Sequence, residues 1–426
     1  MRHIHSSRTL FYLTLTILAG PVALQCQAPI RNDEAAALRA QAAEHQWSGR
    51  PDQAERLHRR TLALLLESLG PEHPDVAGAM NNLATVLVTL DRFEEAESLY
   101  RRAYGIQERK LGAGHASSIA SLGNLADLES RLGRYKEAKE HLDRAMELAR
   151  RNLGPEHPQT LTKMHSLATL HFQLGQYAEA ERLYRAVLAV RERSLGPGHP
   201  DLARTLTNLG ELLRAERRFG RAEALHRRAI SIYERSRGRE HPELATALQN
   251  LSNLWLDRGR LEEAAGLLRR AITIREQTLG SRHSAVALSL NNLGEILARQ
   301  GQHAEADKTY LRAIEILEAS LGPKHATLGI SFNNLGEFYR AQGRFNEAET
   351  LFRRALSIEE EALGACHPHV IQILVNYARL LRALKRKAEA SELEKRTAAI
   401  LAARGKDNPA EKFTVDFRDL AGKNRR

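Results

Sequence analysis

Cysteine and aromatic residues are scarce in this chain of 426 residues. Its two cysteines, Cys26 and Cys366, cannot build the disulfide framework of a small secreted domain or a four-thiolate zinc site. Aromatic residues make up 5% of the chain although hydrophobic residues make up 42%, so alanine and leucine supply most of the apolar surface. Together with abundant Glu, Arg and Gln, this composition favours an all-α protein.

Motifs of known catalytic chemistry are missing as well. The sequence has no Gly-rich phosphate loop followed by Lys and Ser or Thr, no G-x-S-x-G and no H-E-x-x-H. Its many acidic pairs fall on predicted solvated helix faces, and Cys366 is a lone thiol at a variable loop position. We therefore expect no enzymatic activity, no catalytic residue and no cofactor.

The net charge of +11 admits acidic partners, anionic lipid surfaces or nucleic acid. The arginines are nevertheless mixed with glutamates along the chain, a pattern that is typical of solvated helix surfaces. No run of Lys or Arg is interleaved with aromatic residues in the manner of a base-stacking platform. We expect no nucleic-acid partner.

The N-terminus, residues 1–28, predicts a signal peptide or an N-terminal membrane anchor. A basic start is followed by the apolar stretch Leu10–Leu24, whose 15 residues are short of a comfortable membrane span. The cleavage site is unclear because Pro29 follows Ala28, and Gln25 makes the sequence before Cys26 a poor lipidation signal. Cleavage, retention and lipidation all stay open, and membrane contact is expected only through this segment, if it is retained. We expect an exported protein that is periplasmic, secreted or envelope-associated.

One phrase, LGPEHP at Leu69–Pro74, returns throughout the chain with variations. Its histidines recur every 42 residues without insertion, which is the signature of a stacked repeat protein. They are His73, His115, His157, His199, His241, His283, His325 and His367.

Each repeat predicts two helices. In the unit that spans residues 77–118, Ala77–Leu90 carries one apolar stripe at helical spacing, and Phe93–Leu111 carries a second. Gly112 suits the end of a helix, and the Pro after many of the histidines suits the start of the next. The phrase is therefore a stop signal followed by a start signal, with its histidine as part of the junction.

Small residues occupy one register in each helix, and we expect them to let the two helices approach closely. A large residue there would overpack the contact at a cost of about 1–3 kcal/mol. The first-helix series is Ala84, Ala126, Ala168, Gly210, Ser252, Gly294, Gly336 and Ala378; the second-helix series is Ala96, Ala138, Ala180, Ala222, Ala264, Ala306, Ala348 and Ala390.

A first helix with N-L-G/A, a turn with G-R/Q-Y/F and a second helix with E-A-E-x-L-Y/F-R-R-A resembles the tetratricopeptide repeat. The 42-residue form ending in LGxxHP is similar to the repeats of kinesin light chains and their bacterial relatives. This resemblance implies a right-handed superhelical solenoid of about nine antiparallel helix pairs over residues 35–403. Its units start near 35, 77, 119, 161, 203, 245, 287, 329 and 371. The basic C-terminal tail, residues 404–426, is a possible cap.

The eight histidines do not predict a metal site. Two ligands must each approach an ion to about 2.0–2.1 Å, whereas equivalent residues of neighbouring units are separated by two helix layers of roughly 8–10 Å each. We expect no unit to supply a second His or Cys at a convincing ligand spacing within its loop. We therefore expect no bound metal and assign the histidines to helix junctions.

An asparagine recurs in the first helices, beside the face that is expected to line the concave groove. Its amide can pair with an extended peptide backbone, and the resemblance implies that role. The alternative, that it bonds to the neighbouring helix pair and fixes its tilt, stays open. The series is Asn82, Asn124, Asn208, Asn250, Asn292, Asn334 and Asn376, with Ser166 in the remaining unit. The neighbouring candidate groove residues are Asn291, Asn333, Glu211, Glu295 and Glu337.

These patterns predict a non-enzymatic scaffold that binds a peptide or protein segment in its concave groove. The alternative is a membrane-anchored assembly or secretion accessory factor that acts through its convex face or its basic tail. Glutamates and arginines both fall along the groove, so we assign it no single sign of charge.

Overall fold

The computed structural model describes residues 27–47 and 50–407, and within these ranges the chain forms nine antiparallel helix pairs. The odd-numbered helix of each pair is called the first helix here, and the even-numbered one the second helix. The helices are α1 (Gln27–Trp47), α2 (Pro51–Leu69), α3 (Pro74–Thr89), α4 (Phe93–Leu111), α5 (Ala116–Arg131), α6 (Tyr135–Asn152), α7 (Pro158–Gln173), α8 (Tyr177–Leu195), α9 (Pro200–Ala215), α10 (Phe219–Ser236), α11 (Pro242–Asp257), α12 (Leu261–Leu279), α13 (Ser284–Arg299), α14 (His303–Leu321), α15 (Ala326–Ala341), α16 (Phe345–Leu363), α17 (Pro368–Ala383) and α18 (Lys387–Asp407).

The predicted solenoid is confirmed: each helix packs against its partner and against the next pair. The signal or anchor segment falls almost entirely outside the described residues, although α1 already begins at Gln27. The tail beyond Asp407 lies outside them as well. Among the described helices, none combines the length and the apolar character that a membrane crossing requires.

The repeated histidine is the N-cap of each first helix from α3 to α17. In all eight units its Nδ1 accepts a hydrogen bond from the backbone N–H two residues later, at 3.0–3.3 Å. A helix start leaves such N–H groups without an intrahelical partner, and the ring nitrogen satisfies one of them. At the other end of the phrase, Gly112 has φ = 89° and its N–H bonds to the carbonyl of Glu108. The junction predicted from the sequence is therefore confirmed.

The turn between the two helices of a unit needs one residue with positive φ. Glycine fills this position in most units, whereas Asp91, Arg217 and Lys385 hold it at φ = 54°, 60° and 62°. A left-handed conformation costs a residue with a side chain roughly 1–2 kcal/mol, and aspartate tolerates it better than most. These three positions therefore retain a local cost that glycine would avoid.

The small residues permit close approach, as expected, and they also make room for rings. The hydroxyl of Ser252 donates to the backbone carbonyl of Ala264 at 2.8 Å, so the two small registers do face each other. A Cβ on Gly294 would lie 2.9 Å from the ring of Tyr310, and one on Gly336 would lie 2.9 Å from Phe352. Bulky side chains of the second helix thus lie directly over the small positions of the first.

Partly exposed ion pairs link neighbouring units. Arg134 pairs with Glu97 and Arg218 with Glu181, each across 37 residues. A second series of Arg–Glu pairs links successive second helices across 36 residues, at distances of 2.5–2.8 Å. It comprises Arg144–Glu108, Arg228–Glu192, Arg270–Glu234, Arg312–Glu276 and Arg354–Glu318. The mixed charges read from the sequence are thus a periodic network between neighbouring units.

The superhelix contacts itself after one complete turn. His325 Nε2 lies 3.1 Å from the carbonyl oxygen of Thr89, and His367 Nε2 lies 3.2 Å from that of Arg131. Both pairs are separated by 236 residues, which is five units and more than half of a sixth. Leu363 packs against the apolar cluster that contains Leu83 and Leu128, at the same seam.

Asp91 is the polar centre of this seam. Its Oδ2 accepts a hydrogen bond of 2.7 Å from the N–H of Ala326, the first residue of α15, and lies 3.1 Å from His325 Nδ1. Its Oδ1 lies 3.2 Å from the guanidinium of Arg131. A carboxylate at a helix N-terminus is favourable because the helix dipole is positive there. Interhelical turns of one superhelical layer therefore contact the histidine loops of the next.

Candidate functional site

Six of the seven groove asparagines fall into two groups that differ in their hydrogen bonds, and the seventh, Asn334, accepts a bond of 3.4 Å from Asn333. Within the described part of the chain, the carboxamides of Asn82, Asn124, Asn250 and Asn292 make no side-chain hydrogen bond, and each is at least partly exposed. They keep their donors and acceptors for water or for a ligand. For these four, the geometry is compatible with the peptide-binding interpretation.

Two other members of the series join neighbouring units. Asn208 Nδ2 lies 2.9 Å from His165 Nε2, and Asn376 Nδ2 donates to Asn333 Oδ1 at 3.0 Å. Each bond spans 43 residues, from one first helix to the preceding one. At these two positions the carboxamides join neighbouring units, and the sequence pattern alone could not separate the two groups.

A concave cavity of about 540 Å³ brings together five of the candidate residues. They are Asn333, Asn334, Asn376, Glu295 and Glu337. Gln372, which the sequence reasoning missed, donates to Asn376 Oδ1 at 3.2 Å and extends the row of amides. The residue at this position varies between units, so the repeat pattern did not indicate Gln372 as a candidate.

Aromatic rings form the apolar part of this cavity. Tyr310 and Phe338 lie with their ring centroids 5.7 Å apart, and His303 lies 6.1 Å from Phe338. Burial and the nearby charge of Glu295 raise the pKa of Tyr310, so its hydroxyl stays protonated. The sequence reasoning missed these rings. The glycine at position 294 was the available signal, because it leaves space for Tyr310.

The cavity carries both signs of charge, as the sequence suggested. Glu295 pairs with Arg299 at 2.6 Å, and Glu337 pairs with Arg340 at 3.0 Å. Arg379 lies 3.4 Å from Asn376 Oδ1. Since the two carboxylates are already paired, the cavity offers polar recognition without a single dominant charge.

Asp127, Lys163 and Ser166 form a second polar group on neighbouring first helices. Burial lowers the pKa of Lys163 while Asp127 opposes that change. The surrounding protein raises the pKa of Asp127, against the attraction of Lys163 and a hydrogen bond from Ser166. A Cβ on Gly123 would overlap Lys163 Nζ at 1.8 Å, so a larger residue there would displace the lysine side chain. The sequence reasoning missed Lys163.

The remaining candidates lie apart from the cavity. Asn291 is buried, and its Oδ1 has no hydrogen-bond partner among the described residues. Glu211 pairs with Arg214 at 3.0 Å and lies 3.3 Å from the buried ring of His226. The expectation that no unit supplies a second metal ligand overlooked His369, which lies two residues after His367 and close to Glu359.

Comparison with protein families agrees with the repeat geometry. The family model described as tetratricopeptide repeat matches residues 33–109, 117–193, 160–235, 207–277, 284–336 and 327–403. The chain is a tetratricopeptide repeat protein. A search of curated proteins gives no match.

Several solved structures resemble this tetratricopeptide repeat protein. A Podosopora anserina protein with nearly identical TPR-like repeats of the kinesin-light-chain kind is 27% identical, and the match covers 48% of this chain and 98% of that one at a TM-score of 0.40. BtubC (BKLC) from P. vanneervenii is 24% identical over 61% of this chain and 94% of its own, at a TM-score of 0.42.

A Rap protein in complex with Competence and Sporulation Factor extends the likeness over most of the fold. It is 14% identical, and the match covers 87% of this chain and 98% of that one at a TM-score of 0.56. At this level of identity the likeness supports the helical-repeat fold alone.

Proposed function

We propose that this protein is a non-enzymatic scaffold that holds an extended segment of a partner protein in its concave groove. Tetratricopeptide repeat proteins generally act as protein-interaction scaffolds. The observation that carries the proposal is the single cavity that Asn333, Asn334 and Asn376 line together with Glu295 and Glu337. Such a row of amides can pair with a peptide backbone without reading its side chains.

The rest of the cavity would supply specificity. Tyr310 and Phe338 offer apolar ring surface to one side chain of the ligand, and the paired charges at its rim offer polar contacts. Farther along the groove, Asn250 and Asn292 present unpaired carboxamides, again within the described residues. These features favour a mixed, extended segment over a strongly acidic or strongly basic one.

The test compares variants that separate binding from stability. The double variant Asn292→Ala with Asn334→Ala should weaken capture of the partner while leaving thermal unfolding nearly unchanged. Asn292 makes no side-chain hydrogen bond within the described residues, and Asn334 accepts a long one, of 3.4 Å, from Asn333. The partner would first be recovered from envelope extract with wild-type protein, and its affinity for each purified variant would then be measured by calorimetry.

The matched control is Asn208→Ala, which removes the bond to His165. It should lower stability by about 1 kcal/mol, the typical net contribution of one hydrogen bond, and leave partner affinity intact. Unchanged affinity in the double variant would remove the main support for binding through the groove.

Action through the convex face, the alternative function, has less support. Partly exposed arginines of the second helices pair with glutamates of neighbouring units, so much of the basic charge there is already compensated. The basic tail lies outside the described residues.

We also propose that the protein is exported, from the basic start and the apolar stretch Leu10–Leu24. Fractionation of cells that express the full chain tests this. A purely cytoplasmic location would contradict it.

A further inference from the structure

Glu359 on α16 is buried without a hydrogen-bond partner. Its side chain has no exposed surface, and neither carboxylate oxygen bonds to any described residue. A buried polar group without a partner is costly, and a buried charge more so. Within the described residues, the carboxylate is compensated by an ion-pair contact to His369 and by no hydrogen bond.

In three other units, the residue at the position of Glu359 has a hydroxyl group as its hydrogen-bond partner. Polar residues in the register of Glu359 bond to a hydroxyl fourteen residues later: Gln107 to Ser121, Arg191 to Thr205 and Arg275 to Ser289. The corresponding position for Glu359 is Ile373, which has no polar atom. The usual partner is thus replaced by an apolar side chain.

Two histidines lie beside this carboxylate. His369 Nδ1 is 3.4 Å from Glu359 Oε2, and the rings of His367 and His369 have centroids 4.7 Å apart. One possible ligand atom from each of the three residues lies within 4.8 Å of the others. Bonds of about 2.0–2.1 Å in a tetrahedral site place two ligand atoms roughly 3.4 Å apart, which is the separation of Glu359 and His369.

We propose that Glu359, His367 and His369 bind one divalent transition-metal ion of the zinc class. Imidazole and carboxylate ligands suit Zn²⁺ and its neighbours, and three protein ligands leave a fourth position for water. The contact from His367 Nε2 to the carbonyl of Arg131 supports this role. A metal-binding histidine commonly donates its second ring N–H to a backbone carbonyl, which orients the ring.

Metal binding would have a local cost. His367 Nδ1 caps α17 by accepting from the N–H of His369 at 3.2 Å, and coordination would take that lone pair. The positive end of the helix dipole also opposes a cation there. Both effects weaken binding, so we expect lower affinity than at a closed structural zinc site.

The surrounding sequence leaves space for Glu359 in this unit. A Cβ on Gly329 would lie 2.5 Å from its Cγ and 2.7 Å from Oε1. The same register holds Ala77, Ile119, Leu161, Ala203, Ala245, Ala287 and Ile371 in the other units. Gly329 is the one residue in this register without a side chain.

The unit around His199 provides a matched control. His199 caps its helix as His367 does, but Arg191 stands in the place of Glu359 and Asp201 in that of His369. The variant His199→Ala loses a cap and a histidine without touching the proposed ligands. It should therefore bind metal like the wild type.

The experiment titrates Zn²⁺ into full-length protein that has been freed of metal with a chelator and dialysed. Calorimetry should show a site whose affinity falls at least tenfold in both Glu359→Gln and His369→Ala. Co²⁺ should give visible absorption bands that these two variants lack. His369 is exposed, so its replacement does not endanger folding even if Glu359→Gln does.

Two results would overturn the proposal. One is the absence of Zn²⁺ binding by folded wild-type protein. The other is binding that persists unchanged in His369→Ala, which would place the ion elsewhere.

Discussion

Replacing Asp91 by glycine tests whether the seam between superhelical turns stabilises the protein. Asp91 has a left-handed backbone, which glycine adopts without strain, so local geometry alone predicts a more stable variant. Its side chain, however, accepts from the N–H of Ala326 and contacts Arg131 and His325. The two effects have opposite signs, and the measured change shows which one is larger.

The magnitudes favour the loss of the seam. A hydrogen bond to a charged group contributes about 1.5–3 kcal/mol, and the half-exposed Arg131 pair adds roughly 0–1 kcal/mol. Removing the left-handed backbone strain of an aspartate stabilises the protein by about 1 kcal/mol or less. The side chain of Asp91 is 8% exposed, so water replaces these contacts poorly. We expect Asp91→Gly to be less stable by about 1–3 kcal/mol.

Arg217→Gly and Lys385→Gly are the matched controls. Both residues hold the same turn register with φ near that of Asp91, and neither takes part in the seam contacts. Glycine removes a backbone strain of about 1–2 kcal/mol but loses roughly 0.5–1 kcal/mol more conformational entropy on folding. We therefore expect the stability of both controls to be unchanged or slightly higher.

Urea unfolding measures the three stabilities, and small-angle scattering measures compactness. The second measurement is needed because stacked repeats can unfold in stages. Asp91→Gly should expand the protein while the two controls do not. If it stabilised the chain as the controls do and left the scattering unchanged, the seam would contribute nothing.

Two further predictions concern the first helices. Burial lowers the pKa of His165 to about 3, so the unfolded chain binds the proton more readily and stability should fall as pH drops below about 6.5. Between pH 7 and pH 5 this contribution amounts to about 2 kcal/mol, and urea unfolding of His165→Gln should show a correspondingly weaker pH dependence. Gly294→Ala should destabilise by about 1–3 kcal/mol because its Cβ meets Tyr310 at 2.9 Å. Its control, Gly266→Ala, places a Cβ in open space on a helix and should stabilise by about 0.5–1 kcal/mol; equal effects in the two melts would refute the overpacking argument.

The fold followed from the sequence because its determinants are local and repeated. The glycine that ends a second helix, the histidine and proline that begin the next helix, and the apolar spacing all act within one unit. Eight copies in a fixed register left little ambiguity. The histidine's role as a cap through Nδ1 was a matter of detail that the sequence did not show.

The candidate site could be predicted from the sequence only in part. The asparagine register placed Asn334 and Asn376 in the cavity, but Tyr310, Phe338 and Gln372 contribute through positions that vary between units. The bond between Asn376 and Asn333 likewise depends on which side chain the preceding unit offers. Averaging over repeats, which reveals a fold, hides the residues that make one unit differ from another.

The seam shows why some properties of a repeat protein cannot be assigned from one repeat. Every capping histidine uses Nδ1 within its own unit, whereas Nε2 reaches the preceding superhelical turn at His325 and His367. A partner for Nε2 must lie 236 residues earlier, which for His283 is the end of α1 and for His241 is a position before α1. The same residue in the same local structure therefore acquires a second contact only late in the chain. The pitch of the superhelix determines which histidines make this second contact. That pitch is the sum of small rotations over more than five units, and the residues around the histidine do not set it.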